Sequence, residues 1–209
     1  MKKKLRLVLE SNEFIILLGF IIIPFASFIF ITVSEEDPLY TSISRLAWIS
    51  GHWTATFVWA TTVMLAIGWL TYKTIGSAPF DRRIKNAFLI FQLSSIALVF
   101  IGCVCFPSKP SREISDFIYR VHDNLTICAW ASYGIGLIIY SALLRKKNKM
   151  LGFFGIALMC FIVFSSVFFV KTVIDPTSYV GASSISEIYI INEISIYLTV
   201  IYLFEKLVA

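Results

Sequence analysis

Six long apolar runs, separated by short polar segments, constrain the fold of this chain more than any other feature. A helix of about 20 residues, rising 1.5 Å per residue, crosses the ~30 Å hydrocarbon core of a bilayer. Apolar residues make up 58% of the 209, well above the roughly 45–50% of soluble domains. The sequence therefore predicts an all-α, polytopic integral membrane protein, a six-transmembrane-helix bundle forming one domain over residues 1–209. The predicted spans are about 14–33, 46–72, 87–106, 122–144, 150–174 and 187–204.

The distribution of Lys and Arg predicts the orientation of these helices. The amino-terminal segment, residues 73–86, residues 145–149 and the tail hold 13 of the 18 basic residues, and the other side holds 5. Because short loops rich in Lys and Arg stay in the cytoplasm, both termini are expected to be cytoplasmic in a plasma membrane protein. The first run exceeds the ~7–15 apolar residues of a signal peptide, so we interpret it as a retained helix.

Composition also excludes several classes of protein. The net charge of +5 comes from short clusters between the runs rather than from one exposed basic face, which argues against a nucleic-acid partner. The four cysteines all lie in apolar runs, so we expect small buried side chains rather than disulfides or a zinc knuckle. The chain has no P-loop and no G-x-S-x-G motif, and the sequence leaves open whether it is an enzyme.

Ionisable side chains inside the runs are few, and the topology places them all toward the outer side. A charge at the bilayer centre costs ~2.5–3.5 kcal/mol on insertion scales, so such residues suggest a functional site. Arginines at its rim would suit phosphate oxygens, and Glu187 opens the sixth run. One helical stripe of the second run is predicted to hold Trp48, His52, Thr56 and Trp59. The candidate pocket consists of Arg45, His52, Arg120, His122, Asp123, Asn192 and Glu193.

Two interpretations of these residues stay open. In the functional one, the pocket recognises a lipid headgroup, a small ligand or a membrane partner without catalysis. A membrane-embedded hydrolase or acyltransferase using His122 is the alternative, and a dimeric transporter is a third candidate. In the structural interpretation, His122 hydrogen-bonds a neighbouring group, Asp123 caps its helix, and the polar face of the sixth run joins helices at ~0.6 kcal/mol per pair.

No cofactor is predicted for the candidate pocket. The alternative is a zinc ion held by His52, His122 and either Asp123 or Glu193, which would leave a fourth position open for water. No HExxH pair supports this set, and a haem between the two histidines has still less support. The expected partners are membrane lipids, a second copy of the chain or another membrane protein.

Short motifs resemble the DUF998 family of bacterial six-helix membrane proteins and, more distantly, the Frag1/DRAM/Sfk1 group. These motifs are residues 38–46 (PLYTSISRL), the Phe106-Pro107 pair that closes the third run, and His122 at the start of the fourth. Where the family has Glu-Leu-Gly after the serine, this chain has Arg-Leu-Ala at residues 45–47. The resemblance implies a fold and topology rather than a reaction. The lipid-linked roles of the distant relatives favour headgroup recognition.

Overall fold

The structure, a computed structural model, describes residues 11–34, 43–48, 50–106, 116–173 and 184–208. Within these residues the chain is helical and contains no β-strand, which confirms the predicted all-α class. The helices of the described ranges are α1 (Asn12–Leu17, Leu18–Ile22 and Ile23–Ser34, in succession), α2 (Ile43–Trp48), α3 (Trp53–Ser77), α4 (Arg82–Cys105), α5 (Asp116–Lys147), α6 (Lys149–Val173) and α7 (Ser184–Val208).

Helix α1 consists of two α-helical segments joined by a π-helical turn at Leu18–Ile22. The Ser11 hydroxyl caps its start by accepting a hydrogen bond from the Phe14 N–H at 3.1 Å. Gly19, inside the π turn, accepts from the Ser195 hydroxyl at 2.9 Å, and a Cβ at Gly19 would overlap the Thr199 hydroxyl. Because only glycine permits this approach, the first and last helices pack closely at the π turn.

The second apolar run forms two helices rather than the single span predicted over 46–72. Helix α2 ends at Trp48 and α3 begins at Trp53, with Gly51 between them at φ 77°. A residue in this left-handed region cannot continue a right-handed helix, and glycine adopts it without strain. His52 is consequently the N-cap of α3, so Trp48 and His52 do not share the helical stripe of Thr56 and Trp59.

Several helices extend beyond their predicted ends. Helix α4 begins at Arg82 rather than at 87, and α5 begins at Asp116 rather than at 122. Charged residues form helix readily outside the hydrocarbon region, so a helix can continue beyond the end of its apolar run. The connections are correspondingly short, with residues 78–81 between α3 and α4, and Asn148 between α5 and α6.

The surface of the bundle is strongly apolar, whereas its interior contains many polar groups. Phe28, Leu65 and Ile90 expose 66%, 70% and 69% of their surface. The fully or nearly fully buried polar side chains include Ser27, Thr56, Thr71, Thr74, Gln92, Ser141, Ser195 and Thr199. This distribution suits a hydrocarbon solvent, in which apolar side chains face outward and polar groups must pair inside the protein.

Within the described ranges, five helices are long and apolar enough to cross a membrane, namely Asn12–Val33, Trp53–Ser77, Arg82–Cys105, Arg120–Lys147 and Glu187–Leu207. The side chains of α6 are described over Lys149–Phe164. This stretch is apolar but shorter than the five spans. The prediction that all four cysteines are buried is wrong, because Cys105, Cys128 and Cys160 are exposed on helix faces. A thiol is a weakly polar group, so such a position is compatible with a lipid-facing surface.

Candidate functional site

His122 is buried near the start of α5, where it binds the end of α4. Its Nδ1 lies 2.8 Å from the Gly102 carbonyl oxygen and 2.9 Å from that of Phe106. Because carbonyl oxygens only accept hydrogen bonds, Nδ1 carries the proton, and in the neutral ring Nε2 has the lone pair. The imidazole thus binds the carbonyl of Gly102, in the last turn of α4, and that of Phe106, its C-cap. This contact agrees with the structural interpretation of His122.

Glu187, in the first described turn of α7, binds the start of α2. Its Oε2 accepts from the Ile43 N–H at 2.8 Å, and helix starts carry such N–H groups without an intrahelical partner. Glu187 also lies within electrostatic range of Cys103, which follows Gly102 in α4. Glu187 therefore lies in the neighbourhood of the carbonyl that His122 binds.

Thr126 completes this arrangement on α5. A Cβ at Gly102 would lie 2.6 Å from the Thr126 hydroxyl oxygen, so α4 and α5 approach closely just below His122. We call Gly102, Cys103, His122, Thr126 and Glu187 the His122–Glu187 cluster. Within it, Glu187 joins α7 to α2, and His122 joins α5 to α4.

The other members of the candidate pocket have different surroundings. His52 is half-buried, and its carbonyl oxygen accepts from the Thr56 N–H at 2.9 Å and from the Thr56 hydroxyl at 3.0 Å. Arg120 is exposed, two residues before His122. The side chains of Arg45 and Asp123 lie outside the described residues, so their predicted roles stay predictions.

On α7, Asn192 and Glu193 are enclosed by the bundle. The Oδ1 atom of Asn192 is buried, and no hydrogen-bond partner for it is present among the described residues. Glu193 is 8% exposed and interacts with Tyr189, one turn earlier in the helix. Helical phase separates Glu187 from Glu193 by about 120° around α7, so the two carboxylates face different neighbours.

A metal site has limited support in the part of the chain that the structure describes. No group of three His, Cys, Asp or Glu side chains lies close enough there to hold an ion. The zinc set with Asp123 depends on a side chain outside the described residues. The His122 ring still offers Nε2 as an acceptor, which a proton donor or an ion could use.

Glu205, a buried carboxylate that is hydrogen-bonded to two other helices, was not among the predicted site residues. It is 4% exposed near the end of α7. The Tyr140 hydroxyl lies 2.5 Å from Glu205 Oε1 and 3.1 Å from the Thr74 carbonyl oxygen, and the Ser77 hydroxyl donates to Glu205 Oε2. The Thr74 hydroxyl donates to the Leu198 carbonyl oxygen at 3.0 Å. We call Thr74, Ser77, Tyr140 and Glu205 the Glu205 cluster.

The Glu205 cluster joins α3, α5 and α7 at the end of the bundle opposite to Glu187. Eighteen residues of α7 separate the two carboxylates, which corresponds to ~27 Å. The sequence carried a weak signal for Glu205, because it lies two four-residue steps after Tyr197, on the stripe of Tyr189 and Glu193, although Ile201 occupies the position between them. In the structure Tyr197 also faces the interior, with its hydroxyl 2.5 Å from that of Ser141.

The fold and its polar interior define the class of this protein, which is an all-helical membrane protein. Among known proteins, no family model, no curated protein and no solved structure matches the chain. The resemblance to the DUF998 family therefore stays a prediction from short motifs.

Proposed function

We propose that this is a six-span plasma membrane protein, with both termini cytoplasmic, that recognises a lipid headgroup at the His122–Glu187 cluster without catalysing a reaction. The observation that carries the proposal is a buried imidazole that joins α5 to α4, with a carboxylate that joins α7 to α2 within electrostatic range of α4. Ionisable groups are energetically costly in a membrane interior, and those found there usually have a function.

The span count and orientation rest on helix length and charge. Helix α6 has 25 residues over Lys149–Val173, which is ~37 Å and enough to cross the hydrocarbon core. With α6 counted, the hydrophobic helices number six. The excess of Lys and Arg at residues 73–86 and 145–149 then favours that face as the cytoplasmic one.

The chemistry of the cluster favours a ligand that donates hydrogen bonds. Glu187 is an acceptor, and His122 presents its Nε2 lone pair because its Nδ1 proton is engaged. An ammonium group would satisfy both. Arg120, exposed two residues before His122, suits a phosphate at the rim. A phosphoethanolamine headgroup combines these two groups.

The test is lipid binding to the purified protein, followed by native mass spectrometry. We expect dioleoyl phosphatidylethanolamine to bind more tightly than dioleoyl phosphatidylcholine, whose quaternary ammonium donates no N–H hydrogen bond. Glu187→Gln should weaken phosphatidylethanolamine binding by about tenfold, since hydrogen bonds to a charged partner contribute ~1.5–3 kcal/mol. The matched control is Glu205→Gln, which removes another buried carboxylate and should leave binding unchanged.

Equal binding of the two lipids, or equal effects of the two substitutions, would contradict headgroup recognition at this cluster. A small soluble ligand or a membrane partner would then be sought at the same residues. The family resemblance would be supported if DUF998 proteins carried an equivalent buried imidazole at the start of their fourth helix.

Hydrolase or acyltransferase activity is the second candidate, and one observation favours it. The two carbonyl contacts at Nδ1 orient the His122 ring, as is required of a general base that acts through Nε2. Incubation with phospholipid and analysis of released fatty acid tests this. Release that is abolished in His122→Gln, with retained thermal stability, would replace the non-catalytic proposal.

A further inference from the structure

A cleft with three cationic side chains lies between the end of α5 and the start of α6. Its volume is 440 Å³, and it is lined by Ala142, Arg145, Lys146, Lys149 and Ile156, which we call the basic cleft. This volume falls within the range of roughly 300–1,000 Å³ for small-molecule sites. The basic cleft is separate from the His122–Glu187 cluster, so a ligand bound there is independent of the proposed function.

The backbone around the basic cleft is held by the α5–α6 connection. Asn148 Oδ1 accepts from the Leu151 N–H at 3.0 Å, and the Asn148 carbonyl accepts from the Gly152 N–H at 3.0 Å. A Cβ at Gly152 would overlap the backbone of Arg145, so the two helices approach as closely as glycine permits. The cations on both sides of the cleft are therefore carried by a rigid hairpin.

The charges of the basic cleft have no counter-ion among the described residues. Arg145, Lys146 and Lys149 are exposed, and the described part of the chain provides no hydrogen bond or ion pair to their side chains. Arg145 and Lys146 follow Ala142 by three and four residues, so these three lie on one face of α5. Three cationic residues lining one cleft are suited to a phosphate group.

Apolar side chains continue from the basic cleft along both helices. Ile138 and Ile139 on α5 are 40% and 47% exposed, and Phe153 on α6 is 69% exposed. Ile138 and Ile139 lie about two helical turns before Arg145 and Lys146, and Phe153 lies one turn after Lys149. All three are therefore on the side of the cleft toward the hydrocarbon region. A free phosphate ion would use only the cations, whereas a phospholipid would use the cations and this apolar surface together.

We propose that the basic cleft binds an anionic phospholipid, with its phosphate among Arg145, Lys146 and Lys149 and its acyl chains along the exposed apolar side chains of α5 and α6. Basic pockets at the ends of membrane helices bind anionic headgroups in this manner. The leaflet rests on the orientation in the proposed function: with residues 145–149 on the cytoplasmic side, the lipid belongs to the cytoplasmic leaflet.

The experiment measures binding of dioleoyl phosphatidylglycerol to the purified protein by native mass spectrometry, with dioleoyl phosphatidylcholine as reference. Arg145→Gln/Lys146→Gln/Lys149→Gln should weaken phosphatidylglycerol binding by about a hundredfold, because each basic residue near a membrane surface contributes roughly a factor of five. The control, Arg82→Gln/Arg83→Gln/Lys147→Gln, removes three exposed cations outside the cleft and should change binding less than about threefold.

A second variant separates the cleft from general attraction by charge. Ala142→Trp fills the cleft and leaves every charge in place, and Ala142 is exposed, so the fold should tolerate it. We expect at least a tenfold loss of phosphatidylglycerol binding. Unchanged binding in Ala142→Trp, or equal losses in the two triple variants, would overturn the proposal. Displacement of the lipid by millimolar inorganic phosphate would also overturn it, in favour of a free-anion site.

Discussion

The two ends of α7 hold their carboxylates in different ways. At the end of the helix, both oxygens of Glu205 face hydroxyl groups, from Tyr140 on α5 and Ser77 on α3. At its start, the described hydrogen bond of Glu187 is a single N–H from α2, a helix of six residues. The Glu205 arrangement connects three long helices, whereas the Glu187 arrangement connects a long helix to a short one.

This difference distinguishes a carboxylate that stabilises the bundle from one that can bind a ligand. A carboxylate whose acceptors are occupied by side chains of neighbouring helices has little capacity left for a ligand, and its removal leaves those donors without a partner. A carboxylate held by one backbone amide retains acceptor capacity. We therefore regard the Glu205 cluster as structural and place the proposed recognition site at the other end.

The largest effect is expected from Glu205→Ala. The hydroxyls of Tyr140 and Ser77 would then share one remaining acceptor, the Thr74 carbonyl oxygen, which lies 3.1 Å and 2.9 Å from them. Both donors would lose their carboxylate acceptor, and hydrogen bonds to a charged partner contribute ~1.5–3 kcal/mol, so the unfolding free energy in detergent should fall by about 2 kcal/mol. The control is Leu207→Ala, which changes an 80% exposed side chain two residues later and should have little effect.

Unaltered stability in Glu205→Ala would break the comparison, because the Glu205 cluster would then have no structural role. The unfolding free energy of Glu205→Gln provides a second test of the structural role of the Glu205 cluster. Gln presents one acceptor oxygen in place of two, so its loss should lie between that of the alanine variant and zero.

The sequence predicted the helical membrane class correctly because run length and composition suffice for it. It did not predict the break at Gly51, since a positive φ leaves no trace in apolar periodicity. Nor did it predict that His122 binds α4, because the spacing of residues along one helix says nothing about the partner helix. Glu205 was assigned to a tail, since hydropathy ends a span earlier than the helix ends and the apolar Ile201 separates Glu205 from the polar stripe of α7.

A smaller effect is expected from Ser77→Ala. The Tyr140 contact with Glu205 would remain, and only one interhelical hydrogen bond would be lost. Such bonds contribute ~0.6 kcal/mol on average in membrane proteins, and the unfolding free energy should fall by about that amount. Ser94→Ala, at an exposed position of α4, is the matched control. A loss as large as that of Glu205→Ala would mean that Ser77, not Tyr140, is the main partner of the carboxylate.

The smallest global effect is expected from Glu187→Ala, and its consequence should be local. The Ile43 N–H lies at the start of a helix and can donate a hydrogen bond to water or a headgroup when its carboxylate partner is removed. The unfolding free energy should therefore change by less than about 0.5 kcal/mol. Amide hydrogen exchange over residues 43–48 should be faster than in the wild type, because the described anchor of α2 on α7 is lost.

Glu187→Gln provides the control for this local effect. The Gln amide oxygen can still accept from the Ile43 N–H, so exchange over residues 43–48 should stay close to that of the wild type while the charge is absent. If Glu187→Ala lowered global stability as much as Glu205→Ala, both carboxylates would be structural, and the contrast between the two ends of α7 would not support a recognition site. If exchange accelerates in the alanine variant alone, α2 is an element held by one replaceable contact, as expected beside a site that must admit a headgroup.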